Sequence, residues 1–409
     1  MKQLDFGEAV IPDHVPPELV RDFSFWTTPG MEPTPNGDPQ AALSFVHDGP
    51  RIFYAPQNTY DGRGTWVITR AADQRRVLQD AETFSSFRQS LEQVMGEGWR
   101  TIPLEVDPPM HKLYRNLLNP LFSPKSVAAL EPLARARASE LIGKFKDTGT
   151  CEVMEDFAFP FAVSIFLQFL GLPDSRRPEF LGWADAMLHG AIPERREAQR
   201  TVVNFMLDLA ERRRREPTDD FMSFLLQARV EDRLLTEKEV CGIGYLLFIA
   251  GLDTVAAAIG FNLAYLARNA ADQRRLRDDP ALIKPAVEEL LRAYPTVQIR
   301  RVATKDVVFE GAPIKAGDWV SCATMIANRD PLEFPEPNAV DFERESNRHV
   351  SFAYGPHRCI GSHLARRELV IALEEFLQQL PLFRIKDGSA PVTFGGHVFG
   401  IENVVLDWT

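Results

Sequence analysis

Cys359 has the surroundings of a reactive group. It lies in the run Phe352-Ala353-Tyr354-Gly355-Pro356-His357-Arg358-Cys359-Ile360-Gly361, and an apolar helical pattern follows from His363 to Leu373. The cysteine therefore occupies a Gly/Pro-rich loop at a helix N-terminus, which stabilises negative charge and lowers a thiol pKa. The thiolate is the form that binds a metal. Gly355 and Gly361 lack a Cβ and let the backbone approach a flat ligand. Backbone N–H groups of such a loop can donate to the sulfur and tune a metal's potential. Three uses compete. A buried structural cysteine is the plain one. A zinc site is suggested by Cys359 and His363, four apart, but it needs further ligands and no second Cys/His pair is evident. Thiolate ligation of iron in a planar macrocycle uses the whole pattern of Phe352, Gly355, His357 and Gly361, and is the expectation.

A second chemical pair lies in an unusual place. Gly242 to Phe261 is almost entirely apolar and long enough to span a bilayer, yet Asp253 sits near its middle with Thr254 beside it. A central carboxylate is costly in lipid. Glycines at 242, 244, 251 and 260 also interrupt the stretch. A buried central helix of a soluble protein fits better, and the buried acid then needs a reason. Two further pairs have helical spacing. Glu289 and Arg292, three apart, can form an ion pair on one face, and His111 and Arg115, four apart, present two bases together.

These groups need a frame to hold them. Apolar residues recur at helical spacing over Ala128 to Phe145, Phe161 to Leu170, Ala198 to Arg215 and Thr236 to Arg268. Ala286 to Tyr294 reads as a helix opened by Pro285 and closed by Pro295. Strand-like runs are short: Arg51 to Tyr54, Thr65 to Thr69, Val307 to Glu310 and Trp319 to Cys322, with a strand pair within Val392 to Trp408. The expectation is a mainly α fold with a small β region. No linker-like Gly/Ser run divides the 409 residues, so residues 1–409 read as a single domain.

Composition narrows the function classes. A net charge of −11 argues against a general nucleic-acid binder. The basic run between Glu211 and Glu216 reads as a solvated helix end before Pro217. The four cysteines, at 151, 241, 322 and 359, are far apart and suggest no disulfide framework. Met1 to Pro12 carries acids and lacks a signal-peptide core, so a cytoplasmic protein with no membrane segment is expected.

The cysteine run resembles the haem-binding loop of the cytochrome P450 family, with Ala353 standing where a glycine is usual. Three separate segments resemble the same family. Glu289-Leu290-Leu291-Arg292 is similar to its ExxR motif, and Ala327 to Arg344 to its meander, which implies a structural Glu289–Arg292–Arg344 cluster. Ala250-Gly251-Leu252-Asp253-Thr254 is similar to its oxygen-binding groove. Asp107-Pro108-Pro109-Met110-His111 through Arg115 resembles the start of its C helix. The resemblance implies the cytochrome P450 fold, with haem b buried between a long central helix and the Cys loop. Cys359 would ligate the iron. His111, Arg115, Arg301 and His357 would bind the propionates, and Phe352, Gly361 and Ala250 would complete the cofactor site. Gly251 would leave room for dioxygen, Asp253 would relay protons and Thr254 would steer them.

The likeness is strongest to bacterial camphor monooxygenases, also through Pro12 to Phe23. It implies O₂- and NADH-dependent hydroxylation, with electrons arriving through a flavin reductase and a [2Fe–2S] ferredoxin docking near Lys112 and Arg115. The implied pocket walls are Trp99, Thr101, Leu246, Ile249, Val297, Ile299 and Val398. Trp99 stands where camphor enzymes carry a tyrosine, and Ser90 replaces an aromatic. The expected substrate is therefore a monoterpenoid or norisoprenoid, such as an ionone or a cyclic ether or ketone, rather than camphor. The rival readings are a peroxide-driven enzyme of the same family, a non-catalytic haem sensor or carrier, and a zinc or iron-free binding protein. The Asp253-Thr254 pair counts against the first.

Overall fold

The structure is a computed structural model that describes residues 10–58, 63–88 and 90–408; residues 1–9, where a leader was sought, lie outside it. Helices build the frame. They are α1 (Ala71–Gln79), α2 (Met110–Leu118), α3 (Pro124–Ile142), α4 (Phe159–Phe169), α5 (Arg177–His189) and α6 (Ile192–Arg215). The chain continues through α7 (Phe221–Gln227), α8 (Glu237–Arg268), α9 (Ala270–Asp278), α10 (Ile283–Ala293) and α11 (Ser362–Gln379).

The long helix α8 starts where its sequence says it should. Thr236 accepts from the Glu239 N–H at 3.3 Å, and Glu239 returns the bond to the Thr236 N–H at 2.6 Å, a reciprocal capping box. Its most apolar 18-residue stretch is 61% buried inside the protein, as a core helix requires. One cluster of buried side chains joins α8 to α3, α4, α10 and α11. A second joins it to α2, α4, α5, α6 and α7. The helix thus runs between two cores and is fixed from both sides.

A five-stranded sheet holds the other flank. Its strands are β1 (Ile52–Ala55), β2 (Thr65–Ile68), β3 (Phe84–Ser85), β4 (Gln298–Ala303) and β5 (Trp319–Ala323), in the order β1-β2-β5-β4-β3. β5 runs parallel to β2, and the other pairs are antiparallel. Val320 faces Arg301 across β5 and β4. Strand periodicity puts Val297, Ile299 and Arg301 on one side of the β4 line. Further on, β6 (Val392–Phe394) and β7 (Gly400–Glu402) pair antiparallel, as the alternating C-terminal pattern predicts.

Boundaries shift in informative ways. The helix expected from Ala286 begins at Ile283, and Pro285 is its third residue, in the first turn as expected, where an N–H has no intrahelical partner to lose. The basic run ends α6. Arg213 pairs with Asp220, Arg214 with Glu211 and Glu237, and Arg215 with Glu211, which makes it a neutralised helix end.

Candidate functional site

The cysteine loop is pinned by its own backbone. The Cys359 N–H donates to the Phe352 carbonyl at 2.8 Å, and Arg358 N–H to Gly355 O at 3.1 Å. Gly355 has φ +71°, and a Cβ there would lie 2.4 Å from the Leu78 carbonyl of α1. Only glycine fits that approach. Ala353 also adopts a left-handed φ of +62°, so alanine carries strain where glycine would not. The Cys359 sulfur is exposed to a surrounding space, yet burial is the largest influence on its thiol and pushes its pKa up. The Gly361 N–H, Arg115, Arg358 and Arg366 oppose that rise and favour the thiolate.

Across the same region, α8 has a gap in its burial. Its residues are buried at most positions from Val240 to Ala267, but Leu246, Leu247, Ile249, Ala250, Gly251, Asp253, Thr254 and, further along, Tyr265 are not. Leu246, Ile249, Ala250, Asp253 and Thr254 follow the three-to-four spacing of one face. A Cβ on Gly251 would meet nothing within 4 Å. The Thr254 hydroxyl donates to the Ala250 carbonyl at 2.9 Å. An isolated antiparallel bridge joins Val297 to Val398, and both are only partly buried, like Ile299. Thr101 is 1% exposed, with its N–H on Glu105 and its hydroxyl unpartnered. Trp99 packs against the second core cluster with Lys238 5.9 Å from its ring, near the start of α8.

The four bases expected to bind the propionates come together. The His111 and His357 rings lie 4.0 Å apart between centroids. Burial, then the charges of His357 and Arg115, hold His111 down at about 3. Burial also lowers His357, whose Nε2 stands 3.8 Å from Asp107 Oδ1, too far for a hydrogen bond. Arg301 is 2% exposed, and burial brings it down to about 10. The Nε2 atoms of His111 and His357 and one terminal nitrogen of Arg301 are all buried without a hydrogen-bond partner. Arg115 reaches the sulfur side, donating to Asn119 Oδ1 at 2.9 Å and to the Arg358 carbonyl at 2.6 Å.

Beneath the loop lies a buried charge cluster. Arg292 binds Glu289 through two bonds of 2.8 Å, and Arg344 Nε lies 3.1 Å from both carboxylate oxygens. Arg292 also donates to the carbonyls of Asn328, Pro337 and Ala339. Several members escape sequence reading. Asn347 adds a bond to Glu289 at 3.1 Å. Asn328 ties the Val350 N–H and the Ser351 hydroxyl together. Glu288 binds His349 and Arg366, and Arg366 lies over the Phe352 ring at 4.4 Å. Glu288 adjoins the ExxR glutamate, and that adjacency is the only signal it gave.

A family model for Cytochrome P450 matches residues 174–403. The chain belongs to the cytochrome P450 family. A probable cytochrome P450 127A1 from Sinorhizobium fredii is 60% identical over 400 residues, 97% of each chain. Pentalenic acid synthase from Streptomyces avermitilis is 31% identical over 382 residues, 91% of this chain and 94% of that one. The crystal structures of CYP101J2 and CYP101C1 each match with a TM-score of 0.88, at 31% and 34% identity, over 98% of this chain and 100% of theirs. The protein is accordingly a cytochrome P450 monooxygenase, and the family binds haem b. The non-catalytic and zinc readings fall away.

The residues present fit that group. A thiol loop with an N–H on the sulfur suits an iron thiolate. Three orphaned buried donors on His111, His357 and Arg301 suit carboxylates. The open face of α8 at Gly251 suits a small molecule above a flat ring.

Proposed function

We propose that this P450 hydroxylates a small, mainly apolar molecule of the monoterpenoid or norisoprenoid class. It would use O₂ and electrons from NADH, delivered by a flavin reductase and a [2Fe–2S] ferredoxin. The observation that carries the reading is the half-exposed stripe of Leu246, Ile249, Ala250, Asp253 and Thr254 on an otherwise buried helix. With Val297, Ile299 and Val398 it offers an apolar wall ending in an acid-alcohol pair. We assign the whole of residues 1–409 to one cytoplasmic P450 domain.

Haem, when bound, supplies the activation of dioxygen for insertion into an unreactive C–H bond. Cys359 would hold it through the thiolate, which the Gly361 N–H stabilises. His111, Arg115, Arg301 and His357 would bind its carboxylates, with Phe352, Gly361 and Ala250 against its ring. Gly251 leaves space on the α8 side. Thr254, anchored by donating to Ala250, keeps its oxygen lone pairs available to accept a proton donor within the groove. Asp253, one residue before it and only partly buried, is the group that would pass protons inward.

Haem spin-state shifts test the substrate class. Terpenoid ketones and ethers are expected to shift the Soret band; a response only to fatty acids or steroids would overturn the assignment. Reduction by ferredoxin plus reductase with NADH tests the electron route, and turnover supported by peroxide alone would overturn it. Thr254→Ala should leave the reduced carbon-monoxide spectrum intact while product per NADH falls by about an order of magnitude.

A further inference from the structure

Trp99 and Thr101, two of the expected pocket walls, belong to a segment that is fastened to the N-terminal end of α8. Two contacts fasten it. Lys238 donates from Nζ to the Glu97 carbonyl at 2.8 Å and stands 5.9 Å from the centre of the Trp99 ring. One turn along α8, Gly242 is buried, and a Cβ there would lie 2.2 Å from the Arg100 carbonyl oxygen and 4.0 Å from Ile102. A glycine inside a helix costs stability relative to alanine, so it needs a reason. Here the reason is a backbone lying flush against the helix. Other glycines of α8 differ. Gly244 faces the side chain of Met206 at 3.2 Å, and Gly251 meets nothing within 4 Å. A methionine side chain can swing aside, whereas a carbonyl moves only with its chain.

The segment is tied on either side of that contact. The Gly98 N–H donates to Glu92 Oε1 at 3.2 Å, and the Thr101 N–H to Glu105 Oε2 at 3.0 Å. The Arg100 guanidinium lies over the Phe87 ring at 4.6 Å. A methyl group on Gly242 therefore has to push residues 97–101 away from α8 by about 1 Å to restore an ordinary C···O separation.

The place of the contact on α8 gives it a consequence. At 3.6 residues per turn, Lys238, Gly242, Leu246, Ile249 and Asp253 fall within about 80° of one another around the axis. The face that holds residues 97–101 at its start is thus the face that carries the half-exposed stripe further on. How closely the segment approaches α8 sets where Trp99 and Thr101 stand relative to that stripe.

We propose that Gly242, with Lys238 as a latch, determines the size of ligand this P450 accepts, by holding Trp99 and Thr101 close to the α8 stripe and keeping the pocket small. Both act through residues 97–101 and are positioning residues. The proposal rests on the pocket argued above and deepens it, because it makes a glycine outside the pocket the limit on substrate bulk.

The test uses the haem-loaded enzyme and two azoles that ligate the iron whatever the native substrate is: compact 4-phenylimidazole and bulky econazole. Dissociation constants are read from the Soret shift. Gly242→Ala is expected to lower the ratio of the econazole constant to the 4-phenylimidazole constant by at least about fivefold, with the carbon-monoxide spectrum unchanged. Lys238→Met should move the ratio in the same direction, and Lys238→Arg, which keeps a donor for the Glu97 carbonyl, should restore the parent value. A ratio that is unchanged or higher in Gly242→Ala overturns the proposal. Should that variant load no haem, Lys238→Met decides by the same criterion. Ile249→Ala, on the stripe itself, separates this proposal from the pocket reading. If it moves the ratio and Gly242→Ala does not, the pocket stands and the proposal fails. If neither moves it, both fail.

Discussion

Ala353 holds a left-handed backbone at φ +62° one residue after Phe352, whose carbonyl takes the Cys359 N–H. An L-residue there costs roughly 1–2 kcal/mol, and a glycine returns part of that as unfolded-state entropy. Ala353→Gly is therefore expected to stabilise the holoenzyme by roughly 0.5–1 kcal/mol, read by urea unfolding. A loss of stability would mean that the methyl group packs usefully. The neighbouring Gly355 predicts the reverse. With φ +71° and a Leu78 carbonyl 2.4 Å from any added Cβ, Gly355→Ala must displace α1 or the loop. Purified Gly355→Ala should show a much lower ratio of Soret to protein absorbance than the parent, and equal loading would contradict the close approach.

At the scale of elements, α10 is the support on which the loop stands. Its Glu289–Arg292 pair is fully buried and Arg344 closes it from the meander. Removing one partner leaves a buried charge unpaired, so Glu289→Ala should cost about 3–5 kcal/mol and yield little haem-loaded protein, read by absorbance and melting. This part of the architecture was legible because each element carries its own signal. The apolar periodicity of α8, the ExxR spacing and the glycines of the cysteine loop all depend on local sequence. What escaped reading depends on contacts between distant segments. Asn347 looks like an ordinary loop residue until the meander folds onto α10. Val297 and Val398, the proposed pocket walls, are joined by a bridge between segments far apart in the chain.

At the scale of the whole molecule, charge is unevenly used, and that sets the response to acid and salt. Glu288 links α10 to the loop through Arg366. Burial alone would raise its pKa, but hydrogen bonds from His349 and Arg366 win and bring it to about 2, against an ordinary 4.5. A carboxyl lowered on folding stabilises above its unfolded pKa, and that contribution is lost as pH falls from about 4.5 towards 2. Its side chain is 35% exposed, so solvent screening reduces the contribution to about 1–2 kcal/mol. Parent and Glu288→Gln stabilities should converge across that window, and parallel curves would refute the coupling. The chain carries −11 overall, which would repel an acidic partner such as the proposed ferredoxin at long range. Near Cys359, however, Lys112 and Arg358 are exposed, and Arg115 is bound to the Arg358 carbonyl behind them. A local basic face on an acidic protein can select orientation as well as partner. Lys112→Glu should raise the KM for ferredoxin by about tenfold at low salt, with the carbon-monoxide spectrum unchanged. The gap between variant and parent should narrow as ionic strength shortens the Debye length below about 8 Å. A ferredoxin KM that ignores both the substitution and the salt would place the docking face elsewhere.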